Sequence, residues 1–117
     1  MPAATYNINA EQGATFLQTV LYTDAADDPI DLTSYTAAMH VRDGVANAST
    51  IVTLTTENGG ITLGGAAGTI ELTIAAVDTT ALAAGKYVYD LELYGPSDLI
   101  IRLIEGKFNI KAEVTRQ

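Results

Sequence analysis

Along much of the chain apolar and polar residues alternate with a period of two, the spacing that sends successive side chains to opposite faces of a β-strand. The pattern is cleanest in Tyr87-Val88-Tyr89-Asp90-Leu91-Glu92-Leu93, with Tyr87, Tyr89, Leu91 and Leu93 on one face and Asp90 and Glu92 on the other. Residues 68–74 repeat it with Ile70, Leu72 and Ile74 inward, and residues 107–114 repeat it again. Residues 36–42 set Ala37, Met39 and Val41 against Ala38, His40 and Arg42. Less regular strands are expected at residues 5–9, 15–23, 49–55, 61–63 and 99–104.

Glycine and proline punctuate these runs. Gly59-Gly60, Gly64-Gly65, Gly95-Pro96 and Glu105-Gly106 are expected as turns between strands. Residues 24–34 form an acidic loop around Pro29, and the Ala- and Thr-rich residues 75–84 allow one or two helical turns, with Asp78 as the expected N-cap. No amphipathic crossover helix separates the strands, which argues against a parallel βαβ sheet. The pattern therefore predicts an all-β fold: a single antiparallel β-sandwich of roughly seven to nine strands, one domain over residues 1–117.

Composition narrows the function. The 117 residues carry six Lys plus Arg against fourteen Asp plus Glu, a net charge of −8, and include neither cysteine nor tryptophan. Nucleic acid and anionic membranes require a basic surface, so neither is expected as a partner. Without thiolates there is no disulfide and no cysteine-bound zinc or iron–sulfur cluster. Met1-Pro2-Ala3-Ala4-Thr5 has no charged n-region or apolar h-region, and no window nears the roughly 20 apolar residues of a membrane span. The expectation is a protein made in the cytoplasm, with no cofactor and no metal.

Each arrangement of chemically active residue types has a plainer structural reading. His40 is the sole histidine, and a triad would have to draw on Ser34, Ser49 or Ser97, none in a nucleophile-elbow sequence; it reads as an outward strand residue. The run Asp24-Ala25-Ala26-Asp27-Asp28-Pro29-Ile30-Asp31 lacks the glycine and glutamate of a calcium loop and reads as a turn held by local carboxylate bonds. Asp90 and Glu92 read as solvated charges rather than a glycosidase pair. Gly64-Gly65-Ala66-Ala67-Gly68 lacks the Lys-Ser/Thr of a phosphate loop and reads as a tight connection. No catalytic set assembles, and the protein is expected not to be an enzyme.

Apolar residues on the supposed wet faces carry more weight. Val88 and Tyr94 share the acidic face of their strand, and Ile100 and Ile104 lie opposite Leu99, Ile101 and Leu103. Phe16, Val20 and Tyr22 against Leu17 and Leu21 pose the same problem. Strands apolar on both faces belong at a sandwich centre or under a partner, so Val88, Tyr94, Ile100 and Ile104 are the candidate protein interface. Residues 1–9 and the tail 115–117 flank the outer strands, where strand addition to a neighbour is conceivable.

The order of several short motifs adds a resemblance. It runs Glu11-Gln12-Gly13-Ala14-Thr15-Phe16, Pro29-Ile30-Asp31-Leu32-Thr33-Ser34-Tyr35, Met39-His40-Val41-Arg42, Gly68-Thr69-Ile70-Glu71-Leu72, Gly85-Lys86-Tyr87-Val88-Tyr89-Asp90-Leu91-Glu92 and Arg102 to Ile110. This resembles small bacteriophage virion proteins with the immunoglobulin-like β-sandwich found at the N-terminus of phage baseplate upper proteins. The resemblance spans almost the whole chain and implies a virion structural protein, a tail, baseplate or neck accessory subunit, contacting other virion proteins as a homo-oligomer or in repeated copies. A capsid decoration protein and a carbohydrate-binding or adhesion module are the alternatives. Asp31 ahead of Leu32-Thr33 suits an Asx turn, and no catalytic residue is implied.

Overall fold

A computed structural model describes residues 4–43 and 50–112; Met1 to Ala3, Ser49, Glu113, Val114 and the tail 115–117 lie outside the described residues. In chain order the elements are β1 (Ala4–Thr5), β2 (Ile8–Glu11), β3 (Phe16–Leu21), β4 (Thr36–Arg42), β5 (Thr50–Thr55), β6 (Ile61–Leu63), β7 (Thr69–Ile74), α1 (Ala76–Thr80), β8 (Gly85–Tyr94) and β9 (Ile100–Lys111). They form two sheets. A six-stranded sheet runs β1-β9-β8-β4-β5, with β2 also on β9, and a three-stranded sheet runs β3-β7-β6.

The alternation read from the sequence is what builds the core. Ala37, Met39 and Val41 of β4, Ile70, Leu72 and Ile74 of β7, and Tyr89, Leu91 and Leu93 of β8 are all buried between the sheets. Phe108 of β9 lies at the centre, with its ring meeting Phe16 edge-on at 5.7 Å and Tyr89 at 6.3 Å. Two aromatic edges against one ring fill the layer without a disulfide.

Three expectations need correction. The first strands are not antiparallel to their neighbour: β1 and β2 pair parallel with β9, from Ala4 opposite Ile104 to Glu11 opposite Lys111, so the large sheet is mixed. Glu105-Gly106 is not a turn, because β9 runs unbroken through it from Ile100 to Lys111. Gly106 is needed for close approach instead: a Cβ there would press on the carbonyl of Tyr6 and the side chain of Asn7. Tyr6 and Asn7 separate β1 from β2, and across this break Asn7 Oδ1 accepts from Lys107 N at 3.0 Å while Tyr89 OH donates to the Tyr6 carbonyl. Third, Ala75 rather than Asp78 caps α1, and Asp78 stands in the first turn, where its charge suits the helix dipole.

The connections hold by local chemistry. Asp31 Oδ1 accepts from Thr33 N at 2.9 Å and from Thr33 Oγ1 at 2.6 Å, the Asx turn that leads into β4. Those two bonds favour the charged carboxylate and hold the Asp31 pKa below its ordinary value. Asp24 Oδ1 likewise accepts from Ala26 N and Asp28 N. Residues 65–67 form a single 3-10 turn ending at Gly68, whose φ of 71° lets the backbone lie against Tyr22 and Ile30. Thr79, the buried polar side chain of α1, donates to the Ala14 carbonyl at 2.8 Å and ties the helix to the β2–β3 turn. Tyr87 OH donates to the Ala83 carbonyl at 2.8 Å, fastening the start of β8 to the chain that enters it.

Candidate protein-interaction surfaces

The outer face of the large sheet follows from register. Across β4, β8 and β9, Ala38, Glu92 and Arg102 form one row, and His40, Asp90 and Glu105 form the next. Arg42, Val88 and Lys107 form the third. Arg42, Arg102 and Lys107 thus stand on the strands beside β8, while Glu105 faces Asp90 directly. Arg102 Nε lies 3.4 Å from Asp90 Oδ2 and its Nη2 3.5 Å from Glu92 Oε2. Glu92 Oε1 in turn accepts from Tyr94 OH at 3.0 Å. One guanidinium thus orders two carboxylates and a phenol across neighbouring strands.

This face holds an open hollow of about 790 Å3, lined by His40, Arg42, Val88, Asp90, Glu92, Arg102 and Glu105 among others. His40 Nδ1 sits 3.2 Å from Arg42 Nη2, and among the described residues no serine lines the hollow beside it. Of the serines weighed as partners for His40, Ser34 and Ser97 lie in turns with positive φ, and Ser49 is outside the described residues. Among the described residues no three His, Cys, Asp or Glu side chains converge as a metal site.

The four candidate interface residues separate. Tyr94 and Ile100 lie directly opposite each other on the outer face, with Ile100 63% exposed and Leu99 next to it also exposed. Val88 is on the same face but six residues along β8, roughly 20 Å away. Ile104 is not on it. At 7% exposure it faces the core opposite Leu91, because the register slips between the Glu92–Arg102 and Leu91–Ile104 pairs and Leu103 is the extra residue. Counting by twos from Ile100 therefore assigns Ile104 the wrong face.

The other surface lies on the small sheet. β3 is an edge strand of that sheet, so Phe16, Val20 and Tyr22 turn toward the core while Leu17 and Leu21 stand 62% and 57% exposed on the outside. The dual apolar character read from residues 15–23 thus belongs to an edge and not to a strand flanked on both sides. The signal was the pair of leucines spaced by four in a strand without charge.

The phenols report on both regions. Burial raises the Tyr94 pKa above the usual 10.0, the hydrogen bond to Glu92 adds to this, and the charges of Glu92 and Asp90 push the same way. Burial also raises Tyr89, with a smaller contribution from Tyr6. A raised phenol pKa contributes stability that is complete below the unfolded value near 10 and is lost as pH climbs through the folded value. Stability is therefore expected to fall on the alkaline side. In Glu92→Gln the ring resonances of Tyr94, followed by NMR through an alkaline titration, should move to lower pH while those of Tyr89 stay put. An unmoved Tyr94 would refute the assigned cause.

A scan against protein-family models found no match, and a search of curated proteins found none either.

Proposed function

We propose that the protein is a structural subunit that works by binding other proteins, within a bacteriophage particle. The observation that carries the binding reading is the apolar corner of Tyr94, Leu99 and Ile100, set beside carboxylates that Arg102 already holds in place. An exposed apolar anchor bordered by ordered polar groups is how protein interfaces are composed. Charge fixed before contact lowers the entropy cost of docking.

The phage context rests on the motif resemblance. Strand placement supports the immunoglobulin-like part of it, with β9, β8, β4 and β5 in one sheet and β3, β7 and β6 in the other. The Tyr87 hydroxyl reaching back to Ala83 supports it as well, since a tyrosine at this corner makes that bond in immunoglobulin domains. A sugar-binding reading draws less support, because Tyr87 and Tyr89, the pair an aromatic platform would use, turn inward opposite Phe108 and Gly106.

Mass spectrometry of purified particles, separated into heads and tails, tests the proposal. The chain is expected with tails, and recovery with heads would favour capsid decoration. Absence from both would end the virion reading. Within particles, Ile100→Asp should reduce incorporation at least about tenfold while the isolated chain keeps its thermal stability, since the side chain is exposed.

A further inference from the structure

Among the described residues the sandwich has four sheet edges, and three of them are blunted. β1 and β2 form an edge broken at Tyr6 and Asn7, and β6 is three residues long. On β5, Asn58 folds back along the free side, where its Oδ1 accepts from Thr55 N at 2.9 Å and its Nδ2 donates to the Thr53 carbonyl at 3.0 Å. A side-chain amide there takes the place of a neighbouring strand.

β3 has no such protection. Its six residues Phe-Leu-Gln-Thr-Val-Leu carry no charge and no proline, and its register with β7 runs from Phe16–Ile74 to Leu21–Thr69 without a bulge. Charge, proline, shortness and bulges are the devices that keep an edge from pairing. Tyr22 N donates to the Gly68 carbonyl, so the even-numbered residues of β3 bond toward β7. Leu17, Thr19 and Leu21 therefore aim their N–H and C=O groups outward, and among the described residues no other strand pairs there. In a chain of net charge −8, the ten residues from Ala14 to Thr23 carry no charge, so charge repulsion between copies is weakest along this edge.

We infer that β3 pairs with β3 of a second copy, antiparallel about a two-fold axis through Thr19, joining the two small sheets into one of six strands. The inference deepens the proposed assembly role and rests on its premise that the protein acts through protein contacts. Symmetry about Thr19 sets Leu17 opposite Leu21 of the second copy and Leu21 opposite its Leu17, so all four exposed leucines are covered by cross-strand contacts. The nearest acid on this face, Glu71, lies beside Thr19 on β7. Its counterpart in the second copy is three strand spacings away, roughly 14 Å, beyond the Debye length of about 8 Å at physiological salt.

Cysteine cross-linking of the full chain tests the register, because the natural sequence has no thiol. In a hydrogen-bonded antiparallel pair the two residue-19 Cα atoms stand about 5.5 Å apart, inside the range a disulfide spans. Thr19→Cys should form a disulfide dimer under mild oxidation, and Leu17→Cys should cross-link with Leu21→Cys but not with itself. Native mass spectrometry at loading concentrations up to roughly 100 μM should show a dimer of the unmodified chain with a micromolar Kd. Leu17→Lys with Leu21→Lys should weaken it at least about tenfold, and because both changes make the net charge less negative, general repulsion would not explain the loss. A chain monomeric throughout that range overturns the inference, as does Leu17→Cys linking to itself as fast as Thr19→Cys. A dimer indifferent to both lysines overturns it too. A monomer that is still recovered in purified particles would reject the edge pairing and leave the assembly role standing, whereas a β3-paired dimer absent from particles would do the reverse.

Discussion

Phe108→Ala is expected to lower the unfolding free energy by about 3–5 kcal/mol, close to the whole stability of a marginal domain. The ring is fully buried and touches Phe16 from the small sheet and Tyr89 from its own, so its removal opens a cavity bounded by both sheets. Backbone ladders on either side limit how far the walls can relax, which places the cost toward the upper end of the range. Urea unfolding should show a lower midpoint with an unchanged slope. Phe108→Leu, which keeps most of the volume, should lose less than half as much, and equal losses for the two variants would contradict the cavity account.

Gly106→Ala is expected to cost about 2–6 kcal/mol although it adds one methyl group to a strand. The added carbon would lie inside van der Waals contact of the Tyr6 carbonyl, and backbone cannot swing aside as the end of a flexible side chain would. Overpacking of this kind costs about 1–3 kcal/mol. Displacing Tyr6 also takes away the acceptor of the half-buried Tyr89 hydroxyl, worth a further ~1–3 kcal/mol if left unmade. Hydrogen exchange should show the loss locally, with the amides of β2 exposed first and those of β7 unaffected. Uniform loss of protection across both sheets would mean that the N-terminal strands are not the part displaced.

The core was legible because one face of each strand is buried, and burial imposes the period of two. That holds for β4, β7 and β8, where every inward residue read from the pattern is buried except Tyr87, which is half-buried at the start of its strand. The outward placement of Asp90 and Glu92 follows from the same rule. Pairing partners were not legible, since the hydrogen bonds of a ladder come from backbone and leave no mark on side-chain identity. The parallel seating of β1 and β2 on β9 was missed for that reason. Glycine misled at Gly106, because turns and close backbone approach both call for a residue without Cβ. The candidate interface was half legible: Tyr94 and Ile100 meet as outer-face neighbours, but one extra residue at Leu103 turned Ile104 inward, and alternation has no memory across a bulge. Leu17 and Leu21 are anomalous in the sequence, yet only the position of β3 at an edge gives the anomaly its meaning.

The parallel union of the first and last described strands has a mechanical consequence. Tension that enters the chain ahead of β1 and leaves it beyond β9 pulls two side-by-side parallel strands in opposite directions along their common axis. The load then falls on all the β2–β9 bonds together, from Ile8–Phe108 to Glu11–Lys111, and cannot peel them away one after another. Forced opening is governed by the unfolding rate, so the resistance to pulling can exceed what the equilibrium stability suggests. A chain joined this way suits a position where it must transmit strain without giving way.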